Sequence, residues 1–136
     1  MPRPIACLIA LALSLLGAAE PEPRWRTLNH AARDAVQAKD YVRLRVTLQE
    51  LKPLLPGNPR IAYNLAASEA MLGNREAAIA ALRYWSAMGL VYDVGADDDF
   101  ASIRGTPEFQ KVLDRVAQSK LPVTHSVTAL DRKSVV

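Results

Sequence analysis

Apolar and polar residues follow the period of an α-helix through four consecutive segments of the chain. The apolar residues recur three and four positions apart, so each segment can bury one helical face. In the first segment, for example, Leu28, Ala32 and Ala35 fall on one stripe. No strand-like alternation of useful length precedes residue 121, and the sequence therefore predicts an all-α fold. The predicted helices cover residues 25–37, 41–52, 60–72 and 75–88.

Residues that favour turns separate these segments. The stretch PLLPGNP at 53–59 supplies three prolines and a glycine, which end one helix and leave Asn58 to cap the next. Gly73 and Asn74 tolerate a left-handed backbone, as the C-terminus of a helix requires. Gly89 ends the fourth segment. These signals predict two antiparallel helical hairpins.

The two predicted hairpins match each other when the chain is shifted by 34 residues. The shift aligns Lys39-Asp40-Tyr41 with Gly73-Asn74-Arg75, and Leu48 with Leu82. This period and pattern resemble the tetratricopeptide repeat family, whose helix-turn-helix units stack into a right-handed α-solenoid. The resemblance covers residues 25–90 and implies two such units. The alternative is an unrelated helical bundle with accidental periodicity.

The chain departs from the family pattern at several positions. Lys39 stands where the family has a turn glycine, and Leu44 stands where it has a small alanine. In the second unit Glu69 replaces a tyrosine, and Trp85 takes a position usually held by alanine. We expect the packing to differ from the family at these places.

Past Gly89 the pattern predicts a loop, a short helix near 99–104 and a last amphipathic helix over 107–119. Thr106 is suited to cap the last helix, because Pro107 follows it at the first helical position.

This stretch, with its DDDF and PEF motifs, resembles the degenerate unit that closes many bacterial repeat arrays. The resemblance implies that residues 91–119 form a C-terminal capping unit, in which Phe100 and Phe109 cover the core of the last full repeat. The three aspartates at 97–99 lack the ligand spacing of a calcium loop, so we interpret them as helix-capping charge.

The N-terminal residues have the order of a secretory signal peptide, with a basic residue, an apolar run and small residues before an acidic, proline-rich stretch. We predict cleavage after Ala19 and a linker at 20–24, and hence a periplasmic or extracellular protein. The alternative is an uncleaved anchor, but the apolar run is shorter than the ~20 residues that span a bilayer. Cys7 precedes most of that run, so lipidation is not expected. Cleavage would leave no cysteine for disulfides or thiolate chemistry.

The last six residues, DRKSVV at 131–136, match the translation of a common sequencing adapter whose next codon is a stop. We interpret them as an artefact, the alternative being an ordinary polar tail. On the first interpretation the native chain continues past Leu130, and residues 120–130 are a tail or the start of a further domain.

Excluding the leader and these six residues changes the charge balance. The 17 basic and 14 acidic residues become 14 and 13 without Arg3, Arg132, Lys133 and Asp131, and the net charge falls from +3 to +1. This balance gives no support for binding to nucleic acid or to a membrane surface.

The residue pattern does not indicate an enzyme. No serine lies in a nucleophile-elbow motif, and the sequence contains no glycine-rich phosphate loop and no histidine pair with metal spacing. His30 lies one helical turn before Asp34, as in an ordinary surface pair. We therefore expect no catalytic residue, no metal site and no cofactor.

The resemblance to tetratricopeptide repeats implies a module that binds a protein or peptide. In that family the first helix of each unit lines a concave groove, where arginine can bind a carboxylate through two hydrogen bonds. The residues that the resemblance assigns to this groove are Arg26, Asn29, Arg33, Arg60, Tyr63, Asn64, Ala67 and Met71.

Two other functions stay open at this stage. The first is an N-terminal accessory domain of a longer protein, such as a gluconolactonase-type β-propeller, which the β-prone residues 123–127 would begin. The second is a structural, self-associating helical module. The sequence names neither the partner nor the oligomeric state.

Overall fold

A computed structural model describes residues 21–121 of the chain. These residues form helices connected by short turns and contain no strand, so the all-α prediction is confirmed for this part of the chain. The predicted signal peptide, the β-prone tail and the adapter-like end lie outside the described residues. The helices are α1 (Arg24–Gln37), α2 (Tyr41–Leu54), α3 (Pro59–Met71), α4 (Arg75–Ser86) and α5 (Pro107–Ser119), with 3₁₀ turns at Val94–Ala96 and Asp98–Phe100.

The turns after α1 and α3 share one hydrogen-bonding pattern. After α3 the backbone amide of Asn74 donates to the carbonyl of Glu69 at 2.8 Å. The equivalent bond lies 34 residues earlier, where the amide of Asp40 donates to the carbonyl of Ala35 at 2.9 Å. Such a bond satisfies a carbonyl that the end of a helix would otherwise leave unpaired.

One residue in each of these turns has a positive φ. Gly73 has φ 78°, as predicted, and Lys39 occupies the matching position with φ 53°. Glycine adopts this region at little cost, whereas a residue with a Cβ is disfavoured there. The first turn therefore has the same left-handed backbone as the second, although it contains a lysine where the second contains a glycine.

Consecutive helices pack side by side, α1 with α2, α2 with α3 and α3 with α4. Buried apolar side chains form two clusters, which meet at α3. The first joins α1 and α2 to Ile61, and it includes Leu48. The second joins the rest of α3 to α4 and the capping unit, and it includes Leu82, Phe100 and Phe109. The expectation that the two phenylalanines cover the core is confirmed, since both are fully buried.

Side-chain caps begin three of the elements as the sequence predicts. The carboxamide oxygen of Asn58 accepts from the amides of Arg60 and Ile61, at 3.0 and 3.4 Å. The hydroxyl of Thr106 accepts from the amide of Phe109 at 3.3 Å. In the capping unit, a carboxylate oxygen of Asp97 likewise accepts from the amide of Asp99 at 3.0 Å. These bonds satisfy amides that have no partner within their own helix.

Two predicted helix ends are wrong by about half a turn. Helix α2 runs through Pro53 to Leu54, because a proline in the last turn removes only one hydrogen bond, and the amide of Leu55 still donates to the carbonyl of Leu51 at 3.0 Å. Helix α4 ends at Ser86 and not at Met88, whose amide bonds three residues back, to Trp85.

The short helix predicted near 99–104 forms, but it is shorter than predicted and begins one residue earlier. The chain forms a 3₁₀ turn at Asp98–Phe100 and continues in further turns, with the amide of Ile103 donating to the carbonyl of Phe100 at 3.0 Å. Phe100 and Ile103 are both buried. A three-residue repeat places side chains i and i+3 directly above one another. The 3₁₀ geometry therefore brings both residues into the core.

Candidate functional site

Residues of α1 and α3 line an open groove of about 990 Å³, which we call the arginine groove. Its floor is apolar and includes Leu48 and Ile61, which belong to the first buried cluster. Five of the eight residues that the sequence assigned to a binding surface line it together, namely Arg26, Asn29, Arg33, Arg60 and Asn64.

A second depression, which we call the cap pocket, lies between α3 and the loop that follows α4. It measures about 510 Å³ and is lined by Pro59, Arg60, Tyr63, Asn64, Trp85, Leu90, Val91 and Tyr92. Arg60 and Asn64 line both sites, and they lie one helical turn apart on α3. The two sites therefore form one continuous surface that these two side chains divide.

The loop residues of the cap pocket were not predicted from the sequence. Leu90, Val91 and Tyr92 follow the helix-ending Gly89 directly, and all three are exposed. A run of three apolar residues in a loop was the available signal, because a loop that only connects two helices has no reason to be apolar throughout.

Tyr63 is half-buried and is engaged in the structure from several sides. Its hydroxyl donates to a carboxylate oxygen of Asp97 at 2.5 Å, which ties α3 to the capping unit. Its ring makes edge-on contacts with the rings of Trp85, Tyr92 and Phe100, at centroid distances of 5.2, 5.3 and 5.4 Å. Burial and the neighbouring Asp97 raise the pKa of Tyr63 above its ordinary value. Because the hydroxyl of Tyr63 already donates its hydrogen bond to Asp97, only the ring can contact a ligand.

The other two predicted residues lie outside both sites. Ala67 is 6% exposed and belongs to the second buried cluster, while Met71 is 44% exposed but lines neither the arginine groove nor the cap pocket. On this half of α3 the turn Asp98–Phe100 packs against the helix, and Ser102 donates to the carbonyl of Ala70 at 3.2 Å. The binding surface thus stops short of the C-terminal half of α3.

The charged side chains that line the arginine groove are arginines, while Glu22 lies beside Arg26 and His30. None of the residues that line the two sites is acidic. Arg26 lies 3.8 Å from Glu22 and stacks over the ring of Trp25, and within residues 21–121 no salt bridge reaches Arg33 or Arg60. The site is therefore suited to an anionic group.

His30 differs from the prediction that paired it with Asp34. Its Nδ1 atom accepts from the Arg33 guanidinium at 2.8 Å, and its Nε2 atom lies 3.9 Å from Glu22. The first contact requires an unprotonated Nδ1, because an arginine can only donate. His30 thus acts as a support for Arg33 at the rim of the groove.

A buried carboxylate on α3 has a structural role away from the site. Glu69 is 7% exposed and accepts from the side-chain amide of Asn74 at 2.7 Å. The Arg45 guanidinium on α2 lies 3.9 Å from the same oxygen. A buried charge requires such partners, and here they fasten the end of α3 to the following turn and to α2.

Within the described part of the chain, no group of three histidine, cysteine, aspartate or glutamate side chains is placed to hold a metal ion. Over the same residues, no helix combines the length and the apolar character needed to cross a membrane.

Comparison of the chain with protein-family models, with curated proteins and with solved structures found no match. The candidate site is therefore characterised by its own geometry and charge, as a basic groove with an apolar floor that continues into an apolar pocket.

Proposed function

We propose that this protein is a tetratricopeptide-like interaction module that binds an extended peptide segment of a partner protein along α1 and α3. The observation that carries the proposal is the arginine groove, an open basic surface with an apolar floor, lined by the first helices of two consecutive hairpins.

The repeat architecture is supported by hydrogen bonds as well as by sequence. The bond that closes each hairpin recurs at an interval of 34 residues, and a residue with positive φ recurs at the same interval. Leu48 and Leu82, which the same interval aligns, are both buried. Two hairpins provide few units for a stable solenoid, since about three are usual. The capping unit supplies the missing contacts by packing on α3 and α4.

The side chains of the groove suit a peptide in an extended conformation. The carboxamides of Asn29 and Asn64 can both donate to and accept from a peptide backbone. Arg33 and Arg60 can each bind a carboxylate through two hydrogen bonds. The volume of about 990 Å³ is at the upper end of the range in which proteins bind small ligands, so the groove has room for several peptide residues.

The predicted signal peptide adds an expectation about where this binding occurs. We propose that the chain is exported and that its partner is a periplasmic or extracellular protein. N-terminal sequencing of the protein recovered from its cells tests this, because cleavage would give a chain that begins at Glu20.

The binding proposal is tested by selecting random dodecapeptides, displayed on phage, against the immobilised full chain. The affinities of the selected peptides are then measured by fluorescence anisotropy. Reversing two groove charges, with Arg33→Glu and Arg60→Glu together, should weaken binding by more than about tenfold. The matched control is Arg43→Glu with Arg75→Glu, since both arginines are exposed and line neither site. Failure to enrich any peptide, or equal losses in the two double variants, would contradict the proposal.

A further inference from the structure

The loop after α4 presents apolar side chains to solvent beside the groove. Leu90, Val91 and Tyr92 are 36%, 56% and 53% exposed, and all three line the cap pocket. Contiguous exposed apolar side chains on a soluble domain often mark a contact surface. Although Tyr92 also contacts the ring of Tyr63, all three side chains keep a large accessible surface that a ligand can contact.

The wall of the cap pocket is held in position before any ligand binds. Tyr63 is fixed through its hydroxyl by Asp97 and through its ring by Trp85 and Phe100. Tyr92 contacts the same ring, and its carbonyl accepts from the amide of Val94 at 3.0 Å. A preformed pocket costs little ordering on binding, which favours a defined side chain over a loose apolar contact.

The charge at the edge of the pocket limits what can enter. Arg60 lines both the cap pocket and the arginine groove, and neither site contains an acidic side chain. The nearby carboxylate of Asp97 is already bonded to the hydroxyl of Tyr63, so Arg60 is the charged side chain of the pocket lining, and it favours an anionic group beside the apolar one. Asn64 lies one turn further along α3, about 6 Å from Arg60, and can bind the backbone of a chain that crosses between the two sites.

We propose that the cap pocket takes a bulky apolar side chain from an acidic peptide, whose carboxylate one or two residues away binds Arg60. An extended chain rises about 3.3 Å per residue, so a carboxylate one or two residues from the buried apolar side chain stays within reach of Arg60, which lines the pocket itself. The recognised class is thus a segment with aspartate or glutamate next to leucine, isoleucine or phenylalanine. The inference rests on the proposed function, because it specifies a ligand for the same surface.

The test uses the peptides selected on the full chain. Their sequences should carry an acidic residue within two positions of a bulky apolar residue. Replacing that apolar residue by serine should weaken binding by about tenfold, as expected when one buried aliphatic side chain is lost. In the protein, Val91→Ser should have a similar effect, and Val91→Asp a larger one, because it adds a charge that repels the peptide.

Val42 provides the matched control. It is 55% exposed, almost equal to Val91, and lies on α2 away from both sites. Val42→Ser and Val42→Asp should leave affinity unchanged, and circular dichroism would verify that all four variants fold.

Two outcomes separate the inference from the proposed function. Peptides that respond to Arg33→Glu but show no apolar preference, and bind Val91→Asp as tightly as the wild type, would overturn the inference and leave the groove intact as a binding site. A selection that enriches no peptide would overturn both.

Discussion

The turn residue Lys39 provides a direct test of the backbone geometry that closes the first hairpin. Its φ of 53° lies in the left-handed region, where a residue with a Cβ carries a penalty of roughly 1–2 kcal/mol. Glycine avoids this penalty but is freer in the unfolded chain, which offsets about 0.4–1 kcal/mol. We therefore expect Lys39→Gly to raise the free energy of unfolding by about 0.5–1 kcal/mol.

The reverse change at the second hairpin should have the opposite effect. A Cβ built at Gly73 meets no atom within 4 Å, so the strain of Gly73→Ala is confined to the backbone. This variant should lower the free energy of unfolding by about 0.5–1 kcal/mol. Urea titrations followed by far-ultraviolet circular dichroism measure both changes, and each kcal/mol should move Tm by about 4–8 °C.

Ala38→Gly is the control, because Ala38 has an ordinary helical φ of −79° and gains nothing from glycine. It should lower the free energy of unfolding by about 0.5–1 kcal/mol. The reasoning is refuted if Lys39→Gly is less stable than the wild type, since contacts of the lysine side chain would then outweigh the backbone strain.

Two further predictions concern the second buried cluster. Leu82 is fully buried, and Leu82→Ala should lower the free energy of unfolding by about 2–5 kcal/mol because it leaves a cavity. Urea titrations measure this change, and the control Val42→Ala, at an exposed site, should change the free energy of unfolding by less than about 0.5 kcal/mol. Comparable losses in the two would contradict the packing described for α3 and α4. Because burial and Asp97 raise the pKa of Tyr63 above its ordinary value of 10.0, the unfolded chain releases this proton first, and stability should fall as pH rises above about 10. Thermal unfolding measured at several pH values should show a smaller fall in Tyr63→Phe than in the control Tyr84→Phe, where the ring is exposed. If Tm falls equally with pH in the two variants, Tyr63 does not have this role.

Helix starts were more predictable from the sequence than helix ends. Asn58 and Thr106 are capping residues followed directly by proline, and each begins a helix at the expected place. The end of α2 was misjudged because Pro53 removes one hydrogen bond near the end of the helix without ending it, and the amide of Leu55 still bonds to the carbonyl of Leu51. The effect of a proline on a helix depends on how far the proline lies from the helix end, and the sequence does not specify that distance.

The candidate site was predictable where it depends on one helix and not where it depends on contacts between distant segments. The resemblance to tetratricopeptide repeats assigned Arg26, Asn29 and Arg33 to one surface of α1, and they do line one groove. The same reasoning extended the site along α3 to Ala67, which is buried in the second cluster together with residues of α4 and the capping unit. Helical periodicity predicts which residues share a face, but it does not show which neighbour packs over that face.

The division of the core into two clusters affects how the molecule opens. Helix α1 contributes only Ala32 and Ala35 as buried side chains, with Leu28 partly buried beside them, whereas α3 belongs to both clusters. With so little apolar area holding it, α1 should detach in local fluctuations that leave α3, α4 and the capping unit folded. Since α1 forms one wall of the arginine groove, an occupied groove should slow amide hydrogen exchange in α1 selectively. The groove is then complete only in molecules in which α1 is packed on the other helices, and a bound peptide should increase the fraction of such molecules.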